Sequence, residues 1–316
     1  MRKIKFLLLA FLFTAGSATA TTWDEPWADK VIREAASFVL AKVTEVDHEK
    51  GVTIRVIRTL AGKELKDSLV ITDFYLLNIC SSSGHGPEFR MARADSCYFF
   101  IKQNETGAYC IATPTTGFGY VKAGQVMATY RHSYHQAAVP VTVYEKTMTA
   151  IFQHYHHLAY DKTYIDQFVK EQLSQKPAGF AAEEVNIFFL QHAALETVFH
   201  LGMAIDAKLA LPFLNDSTNF HNQVSGARAL AASKGKAATE ALLRVIVDTG
   251  YRNFVKVICI QSLEKLDARY TRPQLLEITK TASGEADGFG GNIMDPRVCT
   301  HVPSLKEALD ELLAKW

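Results

Sequence analysis

Apolar side chains recur with one period up to about residue 113 and with another from Val141 onward, and that change constrains the chain more than any other feature. Val52, Ile54 and Val56 alternate with Thr53 and Arg55, the two-residue period of a strand buried on one face. Tyr144, Met148, Ile151, Phe152 and Tyr155 fall at i, i+4, i+7, i+8 and i+11, the stripe of an amphipathic helix. Strands followed by helices make an α+β chain of two modules. With 316 residues, 48% of them apolar and 21% charged, the chain is long enough for about two cores and too apolar for disorder.

The strand half begins after a short helical stretch from Trp27 to Ala36. Ser37 to Val46, Val52 to Arg58 and Ser68 to Leu77 read as three strands, separated by Asp47-His48-Glu49-Lys50-Gly51 and by Leu60-Ala61-Gly62-Lys63. Cys97 to Lys102 and Ala108 to Thr113 form a hairpin across Gln103 to Gly107. Five short strands with turns between them predict a small closed β-barrel.

The helical half resolves into pairs. The helix that carries Tyr144 is followed by one over Tyr164 to Leu173, and Lys176-Pro177-Ala178-Gly179 breaks the chain. Then come Asn186 to Leu201 with Ala207 to Leu214, His221 to Ser233 with Ala237 to Asp248, Phe254 to Leu266 with Gln274 to Thr281, and a last helix from Ser304 to Lys315. Val224-x-x-Ala227-x-Ala229-Leu230 recurs loosely as Val255-x-x-Ile258-x-Ile260, and Leu242-Leu243-x-x-Ile246 as Leu275-Leu276-x-Ile278, about 33 residues apart. That spacing is within the range of short helical repeats.

Two resemblances follow from these residues. The strand order, the Arg-Val-x-x-x-Leu-x-Gly pattern and the Cys97-Tyr98-Phe99-Phe100-Ile101 strand between Cys80 and Cys110 resemble the netrin-like module, an OB-fold barrel whose best-known members are the tissue inhibitors of metalloproteinases. The stretch from Asp216 to Ala229 resembles a HEAT-type repeat. Together they imply a closed OB-like β-barrel followed by an α-helical HEAT-like repeat stack. The expected division is 1–20 leader, 21–125 barrel, 126–180 helical connector and 181–316 repeats. The barrel resemblance implies a Cys80–Cys110 disulfide, with Cys97 the unpaired thiol. It does not imply inhibition, because those inhibitors chelate zinc through an N-terminal Cys, whereas a chain trimmed of its leader begins Thr21-Thr22-Trp23.

Arg2, Lys3 and Lys5 precede an apolar run from Phe6 to Phe13, and Ala18-Thr19-Ala20 offers small residues for cleavage, the grammar of a secretory signal. The run is far shorter than the roughly 20 residues a bilayer requires, so no membrane span is expected after cleavage, and the protein is expected to be periplasmic or extracellular. Lys and Arg number 34 against 33 Asp and Glu, which removes the basic excess that nucleic-acid binding needs. Five cysteines in an oxidising compartment are expected to pair in part. Cys259 and Cys299 make a second candidate pair, though spacing does not establish connectivity.

Candidate chemistry is sparse. His132 and His135, with His154 and His157, are the residues that would hold a metal if the fold brought them together, since zinc needs at least three protein ligands. No H-E-x-x-H is present. The loop from Gly284 to Asn292 lacks the ligand spacing of an EF-hand, and Ser81-Ser82-Ser83-Gly84-His85-Gly86 lacks the G-x-S-x-G of a serine nucleophile. Phe74, Tyr75, Tyr98, Phe100 and Tyr109 could line a binding face of the barrel. The expected function is an exported, non-catalytic protein-interaction protein with a protein partner and no cofactor. The alternatives are a metal-binding protein or metal-dependent enzyme built on the four histidines and, below it, a protease inhibitor acting through the barrel.

Overall fold

The computed structural model describes residues 23–47, 50–72, 91–113, 116–233, 235–285, 298–299 and 302–316. A short strand β1 (Trp23–Asp24) leads into helix α1 (Ala28–Glu34), and an antiparallel sheet follows. Its strands are β2 (Ser37–Asp47), β3 (Gly51–Gly62), β4 (Ser68–Ile71), β5 (Ser96–Gln103), β6 (Tyr109–Cys110), β7 (Phe118–Lys122), β8 (Gln125–Ala128) and β9 (Ala137–Pro140). The order is β4-β3-β2-β5-β7-β8-β9, with β6 paired to the far end of β5.

This is an open eight-stranded sheet, and the expected closed barrel is corrected accordingly. Closure required the last strand of the hairpin to return to β4. Instead β5 divides its hydrogen bonds: Lys102 and Gln103 pair with the two residues of β6, while Cys97 to Phe99 pair with β7. The sheet then runs outward through β8 and β9 to Pro140, past position 125. Between the β4 end and β6, the Thr72 N–H donates to the Tyr109 carbonyl (2.8 Å), but no ladder forms among the described residues. The third strand, expected from Ser68 to Leu77, is described as far as Ile71, and Phe74, Tyr75 and Cys80 lie outside the described residues.

Both faces of the sheet are buried, for different reasons. Val39, Ala41, Val43, Ile54, Cys97, Phe99 and Ile101 pack together on one face. Phe38, Tyr98 and Phe100 alternate with them and belong to the core shared with the helices, as the two-residue period requires. The aromatic rings of β5 are therefore packing groups rather than a binding face: Phe100 stacks on Phe38 at 4.6 Å and Tyr98 meets Tyr144 at 4.9 Å. Register shifts along β2 and β3 bend the two longest strands. The turn between them depends on Gly51, whose φ is +107° and where a Cβ would stand 2.0 Å from the Ile71 carbonyl.

Helix α2 (Val141–Tyr155) lies on the sheet with Tyr144, Met148, Ile151 and Phe152 inward, the stripe its sequence displays. Then follow α3 (Lys162–Leu173), α4 (Val185–Leu201), α5 (Ala207–Leu214), α6 (Phe220–Leu230), α7 (Lys236–Val247), α8 (Asn253–Lys265), α9 (Arg272–Thr279) and α10 (Leu305–Lys315). One row runs α4, α6, α8, α10, with α5 against α6, α7 against α8 and α9 against α10. A last short strand, β10 (Val298–Cys299), pairs in parallel with β1. A continuous core extends from Phe38 and Tyr98 through Phe152 and Leu230 to Leu309, and α4 touches both β9 and α6. The connection between β8 and β9 is thus pressed between sheet and helices, and it carries the polar residues considered next.

Candidate functional site

Helix α4 is apolar almost all round, yet His192, Glu196 and His200 follow at intervals of four and share one face. Helix α6 answers with His221, Ser225 and Arg228. The β8–β9 connection, Thr129 to Gln136, inserts Arg131, His132 and His135 between them. Arg131 and Glu196 are fully buried, and His132, His135, His192, His200 and Arg228 are all at least nine-tenths buried.

Glu196 organises the cluster. It accepts from Arg228 Nε at 2.8 Å and from the Ser225 hydroxyl at 2.8 Å, and lies 3.6 Å from Arg131 Nη1. Because the Ser225 proton goes to a carboxylate, its oxygen is left to accept from Arg131 Nη1 (2.9 Å) and from His192 Nδ1 (3.0 Å). His192 therefore carries its proton on Nδ1, and Nε2 is a bare lone pair, buried without a partner. Arg131 Nη2 lies 3.1 Å from His221 Nδ1, and since a guanidinium only donates, that nitrogen accepts. His200 Nε2 donates to the Tyr130 carbonyl (2.6 Å) and its Nδ1 accepts from the Tyr155 hydroxyl (2.7 Å). His132 Nε2 donates to the Glu25 carbonyl (3.0 Å). The accepting nitrogens of His200 and His221 mark neutral imidazoles, and in His132 and His192 the second ring nitrogen is buried with no partner.

Burial is the main cause of that neutrality. It lowers His132 and His200 to about 4 and His221 to about 3, with Arg131 or Arg228 adding repulsion in each case. It holds His135 and His192 well below the ordinary histidine range, with His192 and His221 adding repulsion at His135, and Arg131 and His221 at His192. Burial also lowers Arg131, against which Tyr134 and Glu196 act. The His135 ring lies 4.3 Å from that of His192 and 4.1 Å from that of His221, and the exposed Phe180 meets His221 from outside at 5.9 Å.

The four histidines read from the sequence do not converge. His132 packs against Trp27 and Tyr134, and His135 against Phe188, His192 and His221. His154 is in the last turn of α2 beside Tyr155 and Tyr160, and His157 is exposed just beyond the helix end. Among the described residues, no three His, Cys, Asp or Glu side chains are placed to hold a metal ion. Cys97 and Cys259 are buried free thiols, pushed far above the ordinary thiol range by burial. The expected Cys259–Cys299 bridge is thus not formed, because the Cys259 thiol is sealed within α8. Cys110 is buried at the end of β6, and Cys80 lies outside the described residues.

Chemically, the cluster is a hub rather than a nucleophile. Ser225 has committed its proton and both lone pairs and is 1% exposed, so His192 cannot act on it as a base. The residues that build the hub on α4 and α6 escape motif searches, yet they leave a trace: polar residues at four-residue intervals on a helix otherwise apolar. No family model matches the chain, and no curated protein or solved structure matches it.

Proposed function

We propose that the protein is an exported, non-catalytic protein-interaction protein that receives its partner on the helical stack. One observation carries this reading: an apolar groove of about 370 Å³ between α7 and α9, lined by Leu243, Val247 and Ile278 with Arg244, Gln274 and Glu277 at its edges. Val247 is 58% exposed and Leu276, also on α9, 40%. Apolar side chains held in water between two helices fit the apolar stripe of an amphipathic helix. The Arg244 guanidinium favours a partner helix with an acid facing it, whereas Glu277 is already paired with Lys280. Export rests on the basic, apolar and small-residue pattern of residues 1–20. Among the described residues no helix is long and apolar enough to cross a membrane.

A photo-crosslinking residue at Val247 in the full chain, expressed in its host, tests both parts. The expected result is one defined adduct that disappears in Ile278→Glu while that variant keeps the parental melting temperature. Adducts no stronger than those from a probe at exposed Lys122 would overturn the groove reading. A product retained inside the cell and still bearing Arg2 to Ala20 would overturn the export reading.

A further inference from the structure

We propose that the β8–β9 connection, residues 129–136, is an acid-released clasp: at neutral pH it ties the sheet to α4 and α6, and protonation of His135, His192 and His221 lets it go while the sheet stays folded. Besides the Arg131–Glu196 ion pair, the Arg131–Ser225 hydrogen bond and the His200 bond to the Tyr130 carbonyl, the polar tie uses neutral rings. Arg131 Nη2 donates to His221 Nδ1, Arg131 Nη1 and His192 Nδ1 share the Ser225 oxygen, and His135 stacks on His221 and meets His192 edge-on. A proton on His221 Nδ1 would set N–H against N–H at 3.1 Å. A proton on His192 Nε2 or His135 Nε2 would be a buried donor with no acceptor.

The surroundings offer no relief. Arg131 comes from the connection itself, Arg228 from α6, and Arg252 from the turn before α8. From α4 come His200 and Glu196, the latter already engaged by both arginines. From the N-terminal segment, Glu25 presents its carbonyl to His132 and its carboxylate to the Thr113 hydroxyl. Tyr130 and Tyr134 border His192 and His221, and Phe180, Phe188 and Phe220 supply apolar walls. His200 is not invoked, because the Tyr155 hydroxyl on its Nδ1 can turn to accept. The sheet has its own core of Val39, Val43, Ile54, Phe99 and Ile101, and among the described residues no histidine lies on its strands.

Each freed imidazole with an ordinary value near 6.5 multiplies the opening constant about tenfold between pH 7.5 and 5.5. Three give a rise of about 1,000-fold. Hydrogen exchange of the full chain, corrected for intrinsic rates, reads this on peptides covering 129–136 against peptides from β2 and β5. The expected result is a steep rise in the connection with the sheet peptides nearly unchanged. In His135→Phe with His192→Asn, which keep the ring contact with His221 and a donor to Ser225, the rise falls to about tenfold. The single His135→Phe variant, which removes no hydrogen bond at Nε2, gives about 100-fold. A rise below tenfold in the parent, equal slopes in parent and variants, or joint opening of connection and sheet would overturn the clasp.

Discussion

Replacing Glu196 with Gln removes one charge and almost no volume, and so asks what the buried carboxylate does for the fold. It lies between Arg131 and Arg228, with all three side chains at most 6% exposed. Without it, two guanidinium groups stay in the interior with no counter-charge. Breaking a buried ion pair in this way costs about 3–5 kcal/mol, because the remaining charge has lost its water and its partner together. The amide must also turn an NH₂ toward Arg228 Nε or the Ser225 hydroxyl, adding a donor–donor clash. With an unfolding entropy of about 2.1 cal/mol/K per residue over roughly 300 residues, that loss lowers the melting temperature by about 5–8 °C. Urea titration at pH 7.5 measures the free energy, and scanning calorimetry the temperature. The cycle with Arg228→Gln separates mechanism from mere damage: if Glu196 acts through Arg228, the double variant loses less than the two single losses summed. A loss below about 1 kcal/mol in Glu196→Gln, or simple additivity in the cycle, would refute the reasoning.

Two further outcomes follow from packing and capping. Gly226 sits inside α6, where helix propensity alone favours Ala by about 1 kcal/mol, but a Cβ there would stand 2.5 Å from the Leu214 backbone nitrogen. Gly226→Ala is therefore expected to destabilise by about 1–3 kcal/mol in chemical denaturation, and a stabilised variant would show that α5 and α6 are less closely packed. Ser304 opens α10 with a reciprocal capping box to Glu307, so Ser304→Ala should cost about 0.5–2 kcal/mol and speed exchange in the first turn of α10 above all. The clasp and the groove add their own outcomes: a pH-dependent opening that His135→Phe weakens, and a crosslink at Val247 that Ile278→Glu abolishes.

How far the fold could be read in advance depended on the length of each periodic segment. Helices such as Ala207–Leu214 and Val185–Leu201 have caps and stripes long enough to bound them within a residue or two. Strands β7, β8 and β9 have four or five residues each and contain Gly119 and Pro140, too little alternation to stand out from a loop. Missing them turned an open sheet into an expected barrel. The hub was half legible. His132 and His135 stand out as a local pair, whereas His192-x-x-x-Glu196-x-x-x-His200 is not an H-E-x-x-H. Which histidines meet is a matter of tertiary contact: His135 found partners 57 and 86 positions away in the chain, at His192 and His221, and His154 found none of them.

By itself the sequence determined where the helices begin, which face of α2 is apolar, and that Tyr98 and Phe100 of β5 must face away from Cys97, Phe99 and Ile101, because period and side-chain volume are local properties. Only the tertiary structure decided that β5 shares its edge between β6 and β7, that Phe38, Tyr98 and Phe100 lie under α2, and that Arg131 reaches Glu196 and Arg228. Strand order and buried charge pairing depend on which distant surfaces exclude water together, and no local period records that.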